Sequence, residues 1–542
     1  MLLPQVDAGR IVLPEFQRDF VWNPKNTWEL LLSLSRSFPA GSLLFLKYSK
    51  NILAHRIFDG VDKTKTNGVA PTHLVLDGQQ RLTSLYQAFA GKGEHRFWVN
   101  LKDMINNGTS FEEALIYDRL ERFEKRVKDY EDQYRKKILP LSVLFNDDMP
   151  LDRWIDNFID YHREKSDDVR DAVRKIRDEY LEPMRTYEFP VIELNENTDL
   201  EAVCLIFETV NTTGIQLTIF ELLTARYWPL GIDLRQLWER ALDEYPIIQE
   251  FEIEPVTLLQ IVALLASEKS PACKRKHLLN IDSKQLNELW PVAAQALNST
   301  LQVLKNECGV MSPKWLPYST LLPGMAAIIS KVETKNGPAR GDALHKVKKW
   351  FWNSVFSQRY DATTDEKNAQ DFVGVVNWIN GNPEPEIITD FSFEPKLLRS
   401  INRQRNAVYR GIFCLLVRDG ALDFHTGQKI TTQLVIDENI EDHHVFPRKY
   451  LEKKGVSADE LNCVLNRTLI DGKTNRTISN KAPSKYLADI EKVLGNKKLN
   501  GILESHLVPT SDHASFKNDD FQAFTSEREK IFAHKIEEAI SG

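Results

Sequence analysis

The stretch THLVLDGQQRLTSLYQAFAG (residues 72–91) runs from a strand through a tight turn into a helix. THLVLDG carries the short apolar run of a strand. In QQRLTSLYQAFAG, Leu82, Leu85, Tyr86 and Phe89 recur at i, i+3, i+4 and i+7, which predicts an amphipathic helix, and Gly91 suits its C-terminus. Gly78 allows the turn between them, and the free N–H groups of a helix start attract an anion. Arg81, with Arg18 from LPEFQRDFVWNPK (residues 13–25), supplies charge for phosphate oxygens. No GxxxxGK[ST] loop is present. On these residues alone, a phosphate site and a plain turn with a capped helix are equally good readings.

Around this stretch, GSLLFLKY (residues 41–48) reads as another strand. NPKNTWELLLSLSRS (residues 23–37) reads as a helix capped by Asn26 or Thr27. Residues 104–185 are highly charged and helical in period, and DRLERFEKRVKDYEDQYRKK reads as one solvated amphipathic helix. A strand-like YEFPVIEL follows, so the charged region is expected to be a helical insertion. AVCLIFETVNTTGIQLTIFELLTARYW then predicts a helix, an Asn-Thr-Thr-Gly turn and a second helix starting near Thr218. Residues 231–395 read as helical, without a catalytic constellation.

The chain has 542 residues, 42% apolar and 27% charged, which suits a globular protein of about three domains. No apolar run is long enough for a membrane span, and the N-terminus does not read as a secretory signal. Five scattered cysteines without a CxxC pair fit a reducing compartment, so a cytoplasmic location is expected. The net charge of −7 argues against a nucleic-acid binder, but it hides an asymmetry. Between Lys396 and Asn500, 19 lysines and arginines face 12 acidic residues. A basic C-terminal segment on an acidic body is the footprint of a local DNA-contacting domain. It opens with RSINRQRNAVYRGIFCLLV, read as a basic helix whose Arg399, Arg403, Arg405 and Arg410 lie along one side toward DNA.

The chemistry concentrates in IDENIEDHHVFPRKYLEKKG (residues 436–455) and LNRTLIDGKTNRTISNKAP (residues 465–483). Phosphodiester hydrolysis needs a base for water and a cation for charge building on the leaving oxygen. A strand-borne His before a Pro, then an Asn, then an Asn on a following helix, outlines a ββα-metal nuclease. These residues resemble the HNH (His-Me finger) nucleases, in the form found at the C-terminus of GmrSD-type restriction enzymes. The resemblance implies that His444, in the His-x-x-Pro step to Pro447, is the general base, oriented by Asn466. It implies Mg2+ ligands at His443 and Asn475, with Asp442 as a rival, and contacts from Asn480 and Lys481 to metal or phosphate. Zinc-binding cysteines are lacking, so the finger must be held by its own packing.

The N-terminal residues are similar to the ParB/sulfiredoxin-like NTPase domain of the same enzymes. The similarity rests on FQRDFVW (residues 16–22), the Pro-x-Gly-Ser step at Pro39–Ser42, the Asp-Gly-Gln-Gln-Arg box and FETVNTTG (residues 207–214). It implies a nucleotide site, for GTP or ATP, at Asp77, Gly78, Gln79, Gln80, Arg81, Gln17, Arg18, Asn211 and Thr213. Arg81 would meet a phosphate and Gln80 would position water. The implied architecture is α+β and predominantly helical. It comprises a ParB-like domain (residues 1–230), a helical domain (231–395) and an HNH domain (396–542). The implied activity is modification-dependent cleavage of double-stranded DNA in anti-phage defence, by a chain read as a candidate homo-oligomer. The rival readings are a nucleotide-switched DNA-binding regulator with an inactive nuclease, and a toxin-like non-specific nuclease or ribonuclease.

Overall fold

The computed structural model describes the chain except residues 1, 16, 18–19, 49–52, 163–165, 199–201, 204–205, 207–217, 268–269, 425–426, 438–439 and 510–513. It forms two compact units, Met1–Leu234 and Arg235–Gly542. The second holds both the expected helical domain and the expected nuclease domain.

The first unit is built on a five-stranded mixed sheet in the order β3-β1-β4-β2-β8. Its strands are β1 (Ile11–Pro14), β2 (Leu43–Lys47), β3 (His55–Arg56), β4 (His73–Asp77) and β8 (Val191–Leu194). β4 is central, parallel to β1 and antiparallel to β2. Leu74, Val75 and Leu76 are accordingly buried. α1 (Pro24–Ser35) packs with α2 (Gln79–Phe89), which begins directly after β4. Gly78 caps α2 at φ +97°, and a Cβ there would lie 2.3 Å from the Leu43 side chain. Both the backbone sign and the space therefore require glycine.

Three local expectations are corrected. α1 is capped by Asn23, not Asn26 or Thr27: the Asn23 side chain accepts from Asn26 N, Asn26 returns the bond, and Pro24 opens the first turn. The region after residue 104 is not purely helical. β6 (Leu115–Arg119) and β7 (Ile138–Pro140) flank β5 (His95–Asn100) in a second, antiparallel sheet. The single charged helix is two short ones, Leu120–Arg126 and Tyr130–Lys136. They are separated because Val127 is extended and Asp129 caps the second. Inside, Trp154, Phe158, Leu139 and Val99 join Leu31 and Phe89 in one core. The helix expected near Thr218 is α3 (Ile219–Tyr227), with Thr218 and Glu221 forming a capping box. The Asn-Thr-Thr-Gly turn lies outside the described residues.

The second unit is mainly helical. Its long helices α4 (Ser283–Glu307), α5 (Leu322–Glu333) and α6 (Gly337–Phe356) bury Trp290, Met325, Trp350 and Phe351. α7 (Ala407–Arg418) packs on α6, and so does the C-terminal α9 (Phe521–Ser541). The expected basic helix does not start at Arg399. Asn406 accepts from Val408 N and Tyr409 N and so sets the start of α7. Arg403 and Arg405 consequently sit in the loop before it, not along a helix face. Next come the hairpin strands β9 (Glu441–His444) and β10 (Arg467–Ile470), then α8 (Gly472–Ile478). Phe446, Leu461, Tyr486, Phe516 and Phe524 form the core beneath them. Among the described residues Cys273, Cys308, Cys414 and Cys463 are buried and free, so packing holds this region.

Candidate active site

The hairpin puts neighbouring residues of β9 on opposite faces. Register pairs His444 with Arg467 and His443 with Thr468, so the two histidines face different surroundings. His444 Nε2 lies 3.0 Å from Asn462 Oδ1. The Asn462 amide is oriented by its other bonds: its Nδ2 donates to the Ala458 carbonyl, and its Oδ1 accepts from Arg467. Nε2 must therefore carry the proton, and Nδ1 keeps a lone pair. Burial, then the Arg467 charge, pushes the His444 imidazole down to about 4, so it is neutral near pH 7. A neutral ring with an available lone pair is the state a general base needs. Asn462 was missed in the sequence because it lies between the recognisable segments; only the fold brings it to His444.

Asn466 is fully buried. Among the described residues its side chain makes no hydrogen bond to the His444 ring. Its Oδ1 accepts from Phe446 N at 2.8 Å, and its Nδ2 donates to Phe446 O and Leu461 O. It clamps the main chain just after His444, so it positions that histidine through the backbone. The Tyr486 hydroxyl donates to the Val445 carbonyl at 2.7 Å and fixes the same segment from the other side.

Asp442, the rival for the cation, is held by partners within the chain. It is 6% exposed, and its two oxygens accept from the Tyr409 hydroxyl and Gln404 Nε2, each at 2.5 Å. His443, in contrast, makes no side-chain hydrogen bond among the described residues. Burial lowers its pKa, opposed by the carboxylates of Asp442, Glu441 and Asp471. Asn475 lies on α8, and its side-chain amide is likewise without a bond among the described residues. No three His, Cys, Asp or Glu side chains converge among the described residues. An imidazole and an amide oxygen still fit a hexacoordinate cation such as Mg2+, which keeps several waters. One buried atom nearby, Asp471 Oδ2, has no hydrogen-bond partner among the described residues.

Behind the hairpin, His506 is fully buried between the Thr468 hydroxyl and the Leu422 carbonyl, both at 2.7 Å. Burial pushes its imidazole down to about 4. An unfolded histidine titrates near 6.5. The stability that neutral His444 and His506 contribute is thus complete above about pH 6.5 and is lost as pH falls toward about 4. Thermal melts from pH 7 to pH 4 should show a falling midpoint, with a shallower fall for His506→Gln. Equal slopes for the two proteins would contradict this.

Of the expected DNA contacts, three are engaged within the chain. Arg399 pairs with Glu529, Arg410 donates to the carbonyls of Gln404 and Leu316, and Lys481 pairs with Asp489 at 2.7 Å. Arg403 and Arg405 are exposed and form no ion pair among the described residues.

In the first unit the Asp-Gly-Gln-Gln-Arg box is tightly knit. Arg81 donates to Asp77 Oδ2 at 3.0 Å and to the Ala40 carbonyl at 3.1 Å. Gly41 leaves room for this arginine: a Cβ there would lie 2.0 Å from Arg81 Nη1. Gln80 Oε1 accepts from Val21 N and Trp22 N, and Gln17 Nε2 donates to the Val75 and Leu76 carbonyls. Gln79 is buried in the first turn of α2. Arg18, Asn211 and Thr213 lie outside the described residues. Beside the box, a cavity of about 500 Å³ is lined by Phe20, Trp22, Phe97 and His95, with the carboxylates of Asp59 and Glu94. Gln80 ties one wall of that cavity, through Val21 and Trp22, to the start of α2.

Residues 2–228, nearly the whole first unit, match the family model of the GmrSD restriction endonuclease N-terminal domain. The class of protein this similarity points to is a restriction endonuclease, which acts on DNA. Over its full length the chain is similar to the uncharacterized protein MJ0686 of Methanocaldococcus jannaschii. The two are 28% identical over 592 aligned positions, covering 100% of this chain and 98% of that protein. Among the described residues no helix is long and apolar enough to cross a membrane.

Proposed function

We propose that the chain is a modification-dependent, Mg2+-requiring DNA endonuclease of the HNH type, licensed by nucleotide turnover in its first unit and serving anti-phage defence. The observation that carries this reading is the β9–β10–α8 finger. In it a neutral His444 is pinned at Nε2 by Asn462 and its loop is clamped by Asn466. His444 Nδ1 would take a proton from water, and His443 and Asn475 would hold the cation. When bound, Mg2+ neutralises charge on the scissile phosphate and leaving oxygen. An intact base site favours this reading over a regulator with an inactive nuclease. Incubating the full chain, with Mg2+ and GTP or ATP, with modified duplex DNA and with RNA of the same sequence tests it against the ribonuclease rival. DNA cleavage is expected; cleavage of RNA alone would overturn the proposal.

In the first unit we assign the box to GTP or ATP. Arg81 would exchange Asp77 for a phosphate oxygen, with its planar fork as the recognition element. Arg81→Ala is expected to remove NTP hydrolysis, measured as phosphate release. A native rate would make the box a structural turn.

Arg403 and Arg405, exposed and without an ion pair among the described residues, are the cations we assign to a DNA backbone. Each phosphate contact contributes about −0.9 to the slope of log K against log salt on duplex DNA. Arg403→Ala/Arg405→Ala should therefore flatten the slope by about two units, whereas Arg399→Ala should leave it near the native value. A binding titration at several salt concentrations checks both, and an unchanged slope for the double variant places DNA elsewhere.

A further inference from the structure

Asp471 ends β10 and caps α8. Its Oδ1 accepts the N–H groups of Lys473 and Thr474 at 2.9 and 2.8 Å. That is the whole work of an N-cap, and Asn or Ser would do it as well. Yet the residue is a carboxylate, it is fully buried, and its Oδ2 has no partner among the described residues. Capping does not explain a buried negative charge with one oxygen unmatched. Such a group is costly unless a positive charge completes it.

The place of Asp471 shows which charge is missing. The residue lies three positions beyond Thr468, the register partner of His443. One helical turn further on is Asn475, whose N–H donates to the Asp471 carbonyl at 2.9 Å. Asp471 thus joins the strand paired with one proposed ligand to the helix carrying the other. We propose that Asp471 is the anionic member of the cation site, its Oδ2 supplying the negative charge that a divalent cation at His443 and Asn475 requires. This rests on the nuclease reading above and adds a residue to it. A site of imidazole, amide and carboxylate suits Mg2+ or Mn2+ better than an imidazole and an amide alone.

The test uses the full chain and Mn2+ alone, without DNA or nucleotide. Asp471→Asn and Asp471→Ser both keep a capping side chain and remove the charge. Calorimetric titration should show Mn2+ affinity lowered at least about 10–100-fold in both, since loss of even an outer-shell metal partner costs that much. The melting midpoint in EDTA should not fall. Native Mn2+ affinity in the variants, with the wild type binding Mn2+ and cutting DNA, overturns the role of Asp471 and leaves the nuclease reading standing. A fall of the EDTA midpoint in both variants makes the carboxylate structural and also overturns it. A wild type that neither binds Mn2+ nor cuts DNA overturns both.

Discussion

Replacing His444 with alanine is expected to lower DNA cleavage by about 10²–10⁴-fold, the usual cost of removing a general base. The loss should be specific. The His444 ring makes one side-chain hydrogen bond, to Asn462, and the loop that follows is held independently by Asn466 and Tyr486. Folding and NTP hydrolysis should therefore persist, the latter because it is assigned to the other unit. Circular dichroism and phosphate release on the same preparation separate loss of chemistry from loss of structure. Retention of more than about a tenth of native cleavage would remove His444 from the role of base.

Replacing Arg528 with methionine is expected to destabilise the second unit by about 4 kcal/mol or more, because four carbonyls lose a donor at about 1–3 kcal/mol each. Arg528 is fully buried on α9 and donates to four carbonyls: Leu465, Arg467, His506 and Leu507. Burial pushes its guanidinium down to about 9, and its carbon lies 4.6 Å from the Phe532 ring centroid. Two of those carbonyls flank Asn466, so one side chain fixes the strand that clamps the base. Methionine fills the space but leaves each carbonyl without a donor, at about 1–3 kcal/mol per unsatisfied group. Urea denaturation followed by tryptophan fluorescence measures the loss. A change under about 1 kcal/mol would show that water replaces the guanidinium.

The parts of this molecule legible in its sequence are those with short-range causes. Gly78 between an apolar run and a periodic helix dictates strand, turn and helix wherever it occurs. The spacing of His444, Pro447, Asn466 and Asn475 likewise gave the order of the finger. Other features depended on which local signal wins. Asn23 before Pro24 outcompetes Asn26 as the cap of α1. Asn406 starts α7 after the arginines that a simple periodicity would place on its face. β6 ends in charged residues and β7 has only three residues, so neither registers as a strand until β5 pairs with both. The remainder needed the third dimension. That Asp442 is held by Tyr409 and Gln404, while the His443 side chain makes no hydrogen bond among the described residues, follows from residues more than 30 positions away. Asn462 reaches His444 across 18 residues. Arg528 reaches the hairpin from more than 60. The acidic balance of the whole chain likewise concealed that only Arg403 and Arg405 of the expected DNA contacts are free of internal partners among the described residues.

The central claim is that this chain cuts modified DNA through a cation-assisted finger. The most direct measurement incubates the purified full chain and Mg2+, with GTP or ATP, with plasmids that are unmodified, phosphorothioate-marked or carry glucosylated hydroxymethylcytosine, and resolves the products on a gel. The account predicts nicked or linear product from at least one modified plasmid, absent in EDTA and absent with His444→Ala. Intact plasmid in every lane, or cleavage that persists equally in EDTA, would contradict it.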